Sequence, residues 1–221
     1  MKKIAVVLAG CGVKDGSEIH ESVITLLQLK KHNLDYQCFS LDKKQHHVID
    51  HTKNKPVKNE NRNMLTESAR IARGEIKKID EYNPADYDAL IFPGGFGVAK
   101  NLFTYAIDGL ECKIDEKIKK AIIETHRKEK PIGAICISPL LITRAFQDLD
   151  ITPEVTIGNG EQLMDDVEKI GGKPIPKKVY QIHYDEKNKI VTTPAYTIAK
   201  DIAEAASGIE KLVEKIVDLI T

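Results

Sequence analysis

The 221-residue sequence has no excess of either charge: Lys plus Arg and Asp plus Glu each number 33. That balance leaves no electrostatic footprint for nucleic acid or an anionic membrane surface. No apolar run approaches the roughly 20 residues that span a bilayer. The short run from Ile4 to Ala9 passes into glycine, lysine and aspartate rather than into a signal-peptide cleavage site. These absences predict a soluble, cytoplasmic protein. Cysteine is sparse and unpaired: Cys11, Cys38, Cys112 and Cys136 stand far apart with no C-x-x-C, which argues against a zinc site and a disulfide framework. His46, His47 and His51 lie in a lysine-rich polar segment and read as a solvated loop or a surface strand. There is no internal repeat and no low-complexity tract. The glycine run from Pro93 to Gly97 lacks the lysine and Ser/Thr of a phosphate loop and the spacing of a dinucleotide fingerprint, so neither a metal nor a nucleotide cofactor is expected.

What is present is an alternation of strand and helix periods. "KKIAVVLAG" reads as a first strand. In "EIHESVITLLQLKKHN", Ile19, Val23, Leu26, Leu27 and Lys30 fall at helical spacing, with Ser17 as N-cap and Asn33 as stop. "DYQCFSLD" is a second strand, and "NMLTESARIARGEI" a second helix with Leu65, Ala69 and Ala72 on one face; the polar segment Lys43 to Arg62 connects them. "YDALIFPGGFG" is a third strand ending in glycines, followed by "KIDEKIKKAIIETHRKEK" with its apolar stripe at Ile114, Ile118 and Ile122. Farther on, "PEVTIG" reads as a strand, "GEQLMDDVEKIGG" as a helix, and "KVYQIHYDEKNKIVTTPAY" as two strands joined by a turn from Asp185 to Lys189. The final amphipathic helix is predicted to be interrupted near Ser207 and Gly208. Such an order implies a mainly parallel sheet covered by helices on both faces, with function collected at the carboxyl ends of the strands.

Three segments reach that edge. In "PIGAICISPLLI" the period changes at Cys136, from a short apolar strand to a helix opened by Ser138 and Pro139. A strand that turns sharply into a helix lifts the turn residue clear of the sheet, and the helix N-terminus favours a thiolate, so Cys136 holds a nucleophile's position. The alternative is a small buried hydrophobe. After the third strand, the backbone N–H groups of "PGGFG" form either an oxyanion hole beside the sulfur or a tight turn only. After the first strand, Glu18 and Glu21 are both placed to orient or deprotonate a thiol. His126, at the end of the helix that feeds the Cys136 strand, lies at the opposite edge.

Together, "AGCGVKDGSEIHE", "NRNMLTESARIARGEI", "DALIFPGGFGVAKNL", "PIGAICISP" and "IVTTPAYTIAKDIAEAASGIEKLV" resemble the ElbB proteins. These are a branch of the PfpI superfamily of class I glutamine amidotransferase-like folds, and the resemblance runs nearly end to end. It implies one flavodoxin-like domain over residues 1–221, a three-layer α/β/α sandwich with a mainly parallel sheet and a nucleophile elbow, assembled as a homodimer. Cys136 matches the nucleophile. Glu21 matches its partner, because Glu21-Ser22-Val23-Ile24 has the family pattern of glutamate, any residue, then two aliphatics. The oxyanion donors would be Gly95 and Ile137, with Gly94 beside them; Cys11 and Glu18 are candidates to line the same pocket, and His20, a neighbour of Glu21 pointing about 100° away, is a peripheral one; His183 would serve only the polar turn. Amidotransferase and protease-like relatives place a histidine to serve the cysteine, in some directly after it, where this chain has Ile137. Members built on cysteine and glutamate alone are associated with glyoxalase activity without glutathione. The resemblance therefore implies a cofactor-free conversion of glyoxal or methylglyoxal to the hydroxy acid, with possible action on early glycation adducts. The alternative it leaves is a redox-sensing or regulatory protein linked to isoprenoid biosynthesis.

Overall fold

A computed structural model describes residues 2–220. In chain order its elements are β1 (Lys3–Val7), α1 (Ile19–Lys31), β2 (Asp35–Ser40), β3 (Ile49–Asp50), β4 (Lys55–Pro56), α2 (Met64–Ile71), β5 (Ile76–Lys78), β6 (Ala89–Phe92), α3 (Tyr105–Asp108) and α4 (Glu116–Arg127). There follow β7 (Ile132–Ile135), α5 (Ser138–Phe146), β8 (Glu154–Val155), α6 (Glu161–Lys169), β9 (Lys173–Pro174), β10 (His183–Asp185), β11 (Ile190–Thr193) and α7 (Ile202–Ile220). Seven strands form one sheet in the order β10-β11-β7-β6-β1-β2-β5. All pairings are parallel except β10 with β11. β3 and β4 form a separate antiparallel hairpin inside the polar connector, and β8 pairs with β9.

The central strands bury both faces, and their side chains divide between two cores. Ala5 and Val7 of β1 join Leu90, Phe92, Ile118, Ile122, Leu141 and Phe146 on one side. Ile4 and Val6 join Ile24, Leu29, Ile209, Leu212 and Ile216 on the other, where α1 lies beside α7. This is the expected three-layer α/β/α sandwich, and the unbroken apolar runs of β1, β6 and β7 follow from burial on both sides.

Four local expectations are corrected. Ser17 is not the cap of α1; its hydroxyl is buried and accepts from the Ala9 N–H at 2.8 Å, and Glu18 caps the helix instead, accepting from the Glu21 N–H at 2.7 Å. The row Ile19, Val23 and Leu27 does not face the core: these side chains are 43%, 48% and 50% exposed, while Ile24, Leu26 and Leu29 turn inward. The second helix ends at Ile71 and turns Met64, Glu67 and Ser68 inward rather than Leu65 and Ala69, while Ala72, its C-cap, is buried as expected; of its expected tail only Ile76 enters edge strand β5. Finally, α7 runs unbroken through Ser207 and Gly208. Gly208 is there for clearance, since an added Cβ would lie 2.6 Å from the Val179 carbonyl oxygen.

Candidate active site

The carboxyl ends of the adjacent strands β11, β7, β6 and β1 deliver the residues that converge. β7 ends at Ile135 and the chain turns at Cys136 with φ of 63° before α5 begins at Ser138. A left-handed conformation at a residue with a Cβ costs on the order of 1–2 kcal/mol, and two contacts hold it in place. The Cys136 N–H donates to the Thr193 carbonyl at 3.0 Å, and the buried Ser138 hydroxyl donates to the Pro93 carbonyl at 2.8 Å, tying the elbow to the neighbouring strand ends. The sequence reading of a nucleophile elbow is thus the local structure found.

Beside the sulfur stands Glu21, whose side chain has no exposed surface. The Gly94 N–H donates to its Oε2 at 2.9 Å and the Tyr196 N–H to its Oε1 at 3.2 Å. The carboxyl also makes a hydrogen bond with the Cys136 thiol. Burial, and next the negative charge of Glu18, push Glu21 up to about 8, against the opposing pull of the two backbone N–H groups. At pH 7 the carboxyl is therefore mostly protonated, with about a tenth ionised. Burial also pushes the Cys136 thiol well above its ordinary value, and the Glu21 charge adds to this. The expectation of a thiolate at this position is not met in the resting site, because burial and the Glu21 carboxyl outweigh the backbone N–H groups that favour one. The Gly95 and Ile137 N–H groups do hydrogen-bond the sulfur and oppose that rise.

Gly94 and Gly95 earn their places by clearance. A Cβ on Gly94 would sit 2.5 Å from the Cys136 Cβ and 2.7 Å from Glu21 Oε2. At Gly95 φ is 109°, and a Cβ would lie 2.6 Å from the Gly16 carbonyl oxygen. The two N–H groups have different partners. Gly95, with Ile137, faces the sulfur, whereas Gly94 is taken by Glu21 and is not free to be an oxyanion donor.

The sulfur opens to a cavity of about 430 Å³ lined chiefly by Val13, Phe96, Ala99, Tyr105, Ala106, Ile137, Leu163 and Tyr196, with Glu18 on its wall. Of the expected lining residues, Glu18 is therefore present and two are not. Cys11 doubles back to pair with Ser17 and lies in the field of Glu67 and Arg70, leaving Val13 in the place expected of it. His20 is on the exposed side of α1 and reaches the site only through its Nδ1, 2.7 Å from the Tyr196 hydroxyl. His126 borders a different cavity at the opposite sheet edge with Lys187 and Lys189, as its position predicted, and His183 pairs with Glu154 at 3.1 Å. Sequence reasoning did not find Tyr196, Tyr105 or Leu163. The "TTPAY" turn after β11, placed at the functional edge, was the available signal for the first; nothing in the local pattern marked the others. Among the described residues, no group of three or more His, Cys, Asp or Glu side chains could hold a metal ion.

The comparisons agree with this geometry. No family model matches the chain. The human protein named glutamine amidotransferase-like class 1 domain-containing protein 3, mitochondrial, is 42% identical over 98% of this chain and 83% of its own length. The chain belongs to the class I glutamine amidotransferase-like family. Within it, the rat ES1 protein homolog, mitochondrial, is 41% identical over 98% of the chain and 84% of its own length. The crystal structure of an isoprenoid biosynthesis protein with amidotransferase-like domain from Ehrlichia chaffeensis superposes with a TM-score of 0.94 at 36% identity, over the whole of both chains. A DJ-1 superfamily protein from Agrobacterium tumefaciens shares the fold, with a TM-score of 0.56 at 13% identity over 97% of this chain and 91% of that one. No helix among the described residues is long and apolar enough to cross a membrane.

Proposed function

We propose that this protein is a cofactor-free glyoxalase in which Cys136 is the nucleophile and Glu21 the acid–base group. The observation that carries the reading is the buried pair itself: a carboxyl poised near pH 8, in contact with a thiol that opens to a cavity. As an oxoaldehyde binds, the ionised fraction of Glu21 takes the thiol proton while sulfur adds to the aldehyde carbon. The carbonyl electron pair moves to oxygen, which receives that proton under the N–H groups of Gly95 and Ile137, giving a hemithioacetal. Glu21 then removes the proton on that carbon and returns it to the adjacent one, while the hydroxyl proton on the first oxygen passes to the second, so one C–H and one O–H are exchanged between the two carbons. The first carbon rises to the thioester level and the second falls to the alcohol, so no external oxidant or reductant is needed. Water cleaves the thioester, releasing a 2-hydroxy acid and the thiol. No leaving amine has to be protonated, which suits a site with Ile137 rather than histidine after the cysteine and no histidine among its described lining residues. A redox sensor would want a low-pKa, open thiol; the buried, raised Cys136 gives that alternative no support.

The same proposal places the chain in the cytoplasm, a reducing compartment suited to its four free cysteines. It also carries a homodimer, by the family resemblance, with the exposed row Ile19, Val23 and Leu27 as a surface for the second copy. Sedimentation of the parent and of Val23→Glu tests this, a monomeric parent being the refuting result. For the activity, the deciding experiment is steady-state turnover of glyoxal and methylglyoxal by purified protein with the product identified by mass. Glycolate and lactate are expected, and the absence of both products at every enzyme concentration would reject the reading.

A further inference from the structure

The cavity above Cys136 is built for a larger guest than glyoxal. Its volume of about 430 Å³ lies within the roughly 300–1,000 Å³ range of sites that enclose drug-sized ligands, whereas glyoxal has only four heavy atoms. Its walls are apolar: Val13 from the β1–α1 loop, Phe96 from the glycine turn, Ala106 from α3 and Leu163 from α6. The polar groups that face it are already engaged. The Tyr105 hydroxyl donates to Asp166 Oδ2 at 2.5 Å, which fixes α6 over the cavity, and the Tyr196 hydroxyl is held by His20.

Charge is equally selective. Among the described residues no lysine, arginine or histidine lines the cavity, and its one carboxylate side chain beyond the reacting pair is Glu18. Lys14 and Lys100 lie over the ring of the lining residue Phe96 at 5.1 and 5.9 Å without lining the cavity themselves, and the Lys100 ammonium is bound to the Lys14 carbonyl at 2.8 Å. A phosphate or carboxylate on the substrate would thus enter an apolar chamber beside a glutamate with no counter-charge, and burying an unpaired charge is costly.

We propose that the preferred substrate is a neutral 2-oxoaldehyde bearing an apolar tail the size of a ring or a branched alkyl group, rather than glyoxal or a phosphorylated or carboxylated dicarbonyl. This rests on the glyoxalase reading above. The chemistry is unchanged: the aldehyde carbon becomes the carboxyl, the ketone carbon becomes the alcohol, and one water is consumed. Each methylene placed in an apolar pocket favours the transition state by about 10-fold or more.

The test compares kcat/KM for glyoxal, methylglyoxal, phenylglyoxal and 4-carboxyphenylglyoxal on the full-length protein. Phenylglyoxal should exceed glyoxal by at least about 10-fold, the carboxylated analogue should fall back by a similar factor, and Leu163→Ala should narrow the phenylglyoxal-to-glyoxal ratio. A second readout does not depend on turnover. Acetophenone, which cannot complete the reaction, should slow alkylation of Cys136 at concentrations where acetone and benzoate do not. If glyoxal is turned over as well as phenylglyoxal and acetophenone gives no protection, the inference is overturned while the glyoxalase reading stands. If no dicarbonyl is turned over, the glyoxalase reading fails, and the protection series alone decides whether the cavity selects neutral apolar guests.

Discussion

Replacing Glu21 by Gln should stabilise the protein relative to the parent progressively as pH rises. In the native state the carboxyl titrates near 8 because it is buried beside Glu18, whereas its unfolded value is close to 4.5. Between those values the folded chain holds a proton that the unfolded chain has released, so stability falls with rising pH. Integrating a single site across these two values gives a loss of about 3.5 kcal/mol between pH 5 and pH 8, which Gln cannot show. Against this stands a constant cost. Gln has one carbonyl oxygen where Glu21 accepts from both the Gly94 and Tyr196 N–H groups, and its amide would confront one of those donors, at roughly 1–3 kcal/mol. The variant should therefore be less stable than the parent at pH 5 and equal or exceed it by pH 8. Paired urea melts at half-unit intervals of pH would read this as a relative shift in midpoint of about 1 M or more. Two midpoint curves that remain parallel from pH 5 to pH 8 would show that Glu21 is ionised throughout, and the mechanism proposed for it would lose its proton carrier.

Cys136→Ala should abolish dicarbonyl turnover while Cys11→Ala, Cys38→Ala and Cys112→Ala keep most of it, and parent-level activity in the first would refute the assignment. Because Cys136 has φ of 63°, Cys136→Gly should be more stable than Cys136→Ala by about 1 kcal/mol in thermal melts, and the reverse order would deny the strain. Glu18→Gln should retain more kcat/KM than Glu21→Gln, and should move the rise of activity with pH to lower pH, since the Glu18 charge helps to hold Glu21 protonated; an unmoved profile would refute that coupling. Gly208→Ala should destabilise by about 1–3 kcal/mol despite the better helix former, because its Cβ would meet the Val179 carbonyl oxygen at 2.6 Å; a stabilised variant would refute the close approach. Activity should survive exhaustive dialysis against a chelator, and recovery only on adding metal would overturn the cofactor-free mechanism.

The sandwich was legible because its central strands and the helices α4 and α6 carry undiluted periods, and the order of elements then selects the functional edge. Glu21 and Cys136 were placed by that order together with the family pattern. What was misread has a common cause near the site. The inward face of α1 carries Glu21, Ser22 and Thr25, whose hydroxyls are satisfied locally by the Glu18 and Glu21 carbonyls at 2.7 Å, so hydrophobicity pointed to the wrong face. Ser17 has the composition of a cap but is engaged by the Ala9 N–H, which only the fold of the β1–α1 loop reveals. β5 offers a single half-buried isoleucine and two exposed lysines at the sheet edge, too little signal to separate it from the helix before it. Tyr196 contributes to Glu21 through its backbone, and a main-chain donor leaves no mark on residue type.

One anchor of the elbow and one clamp on its glutamate come from the end of β11, the last strand in the chain, and they set the order in which the site comes into being. Thr193, which receives the Cys136 N–H, ends β11, the strand that pairs with β7, and Tyr196, which clamps Glu21, follows it. A chain made from its N-terminus at about 5–20 residues per second exposes the thiol, and even the glycine turn, well before those partners exist. During synthesis the sulfur stands beside a glutamate that only one of its two backbone donors, Gly94, can yet reach. The pair is complete only when the C-terminal fifth of the chain docks, so a polypeptide cut short on the ribosome carries Cys136 and Glu21 without the β11 end that fixes them.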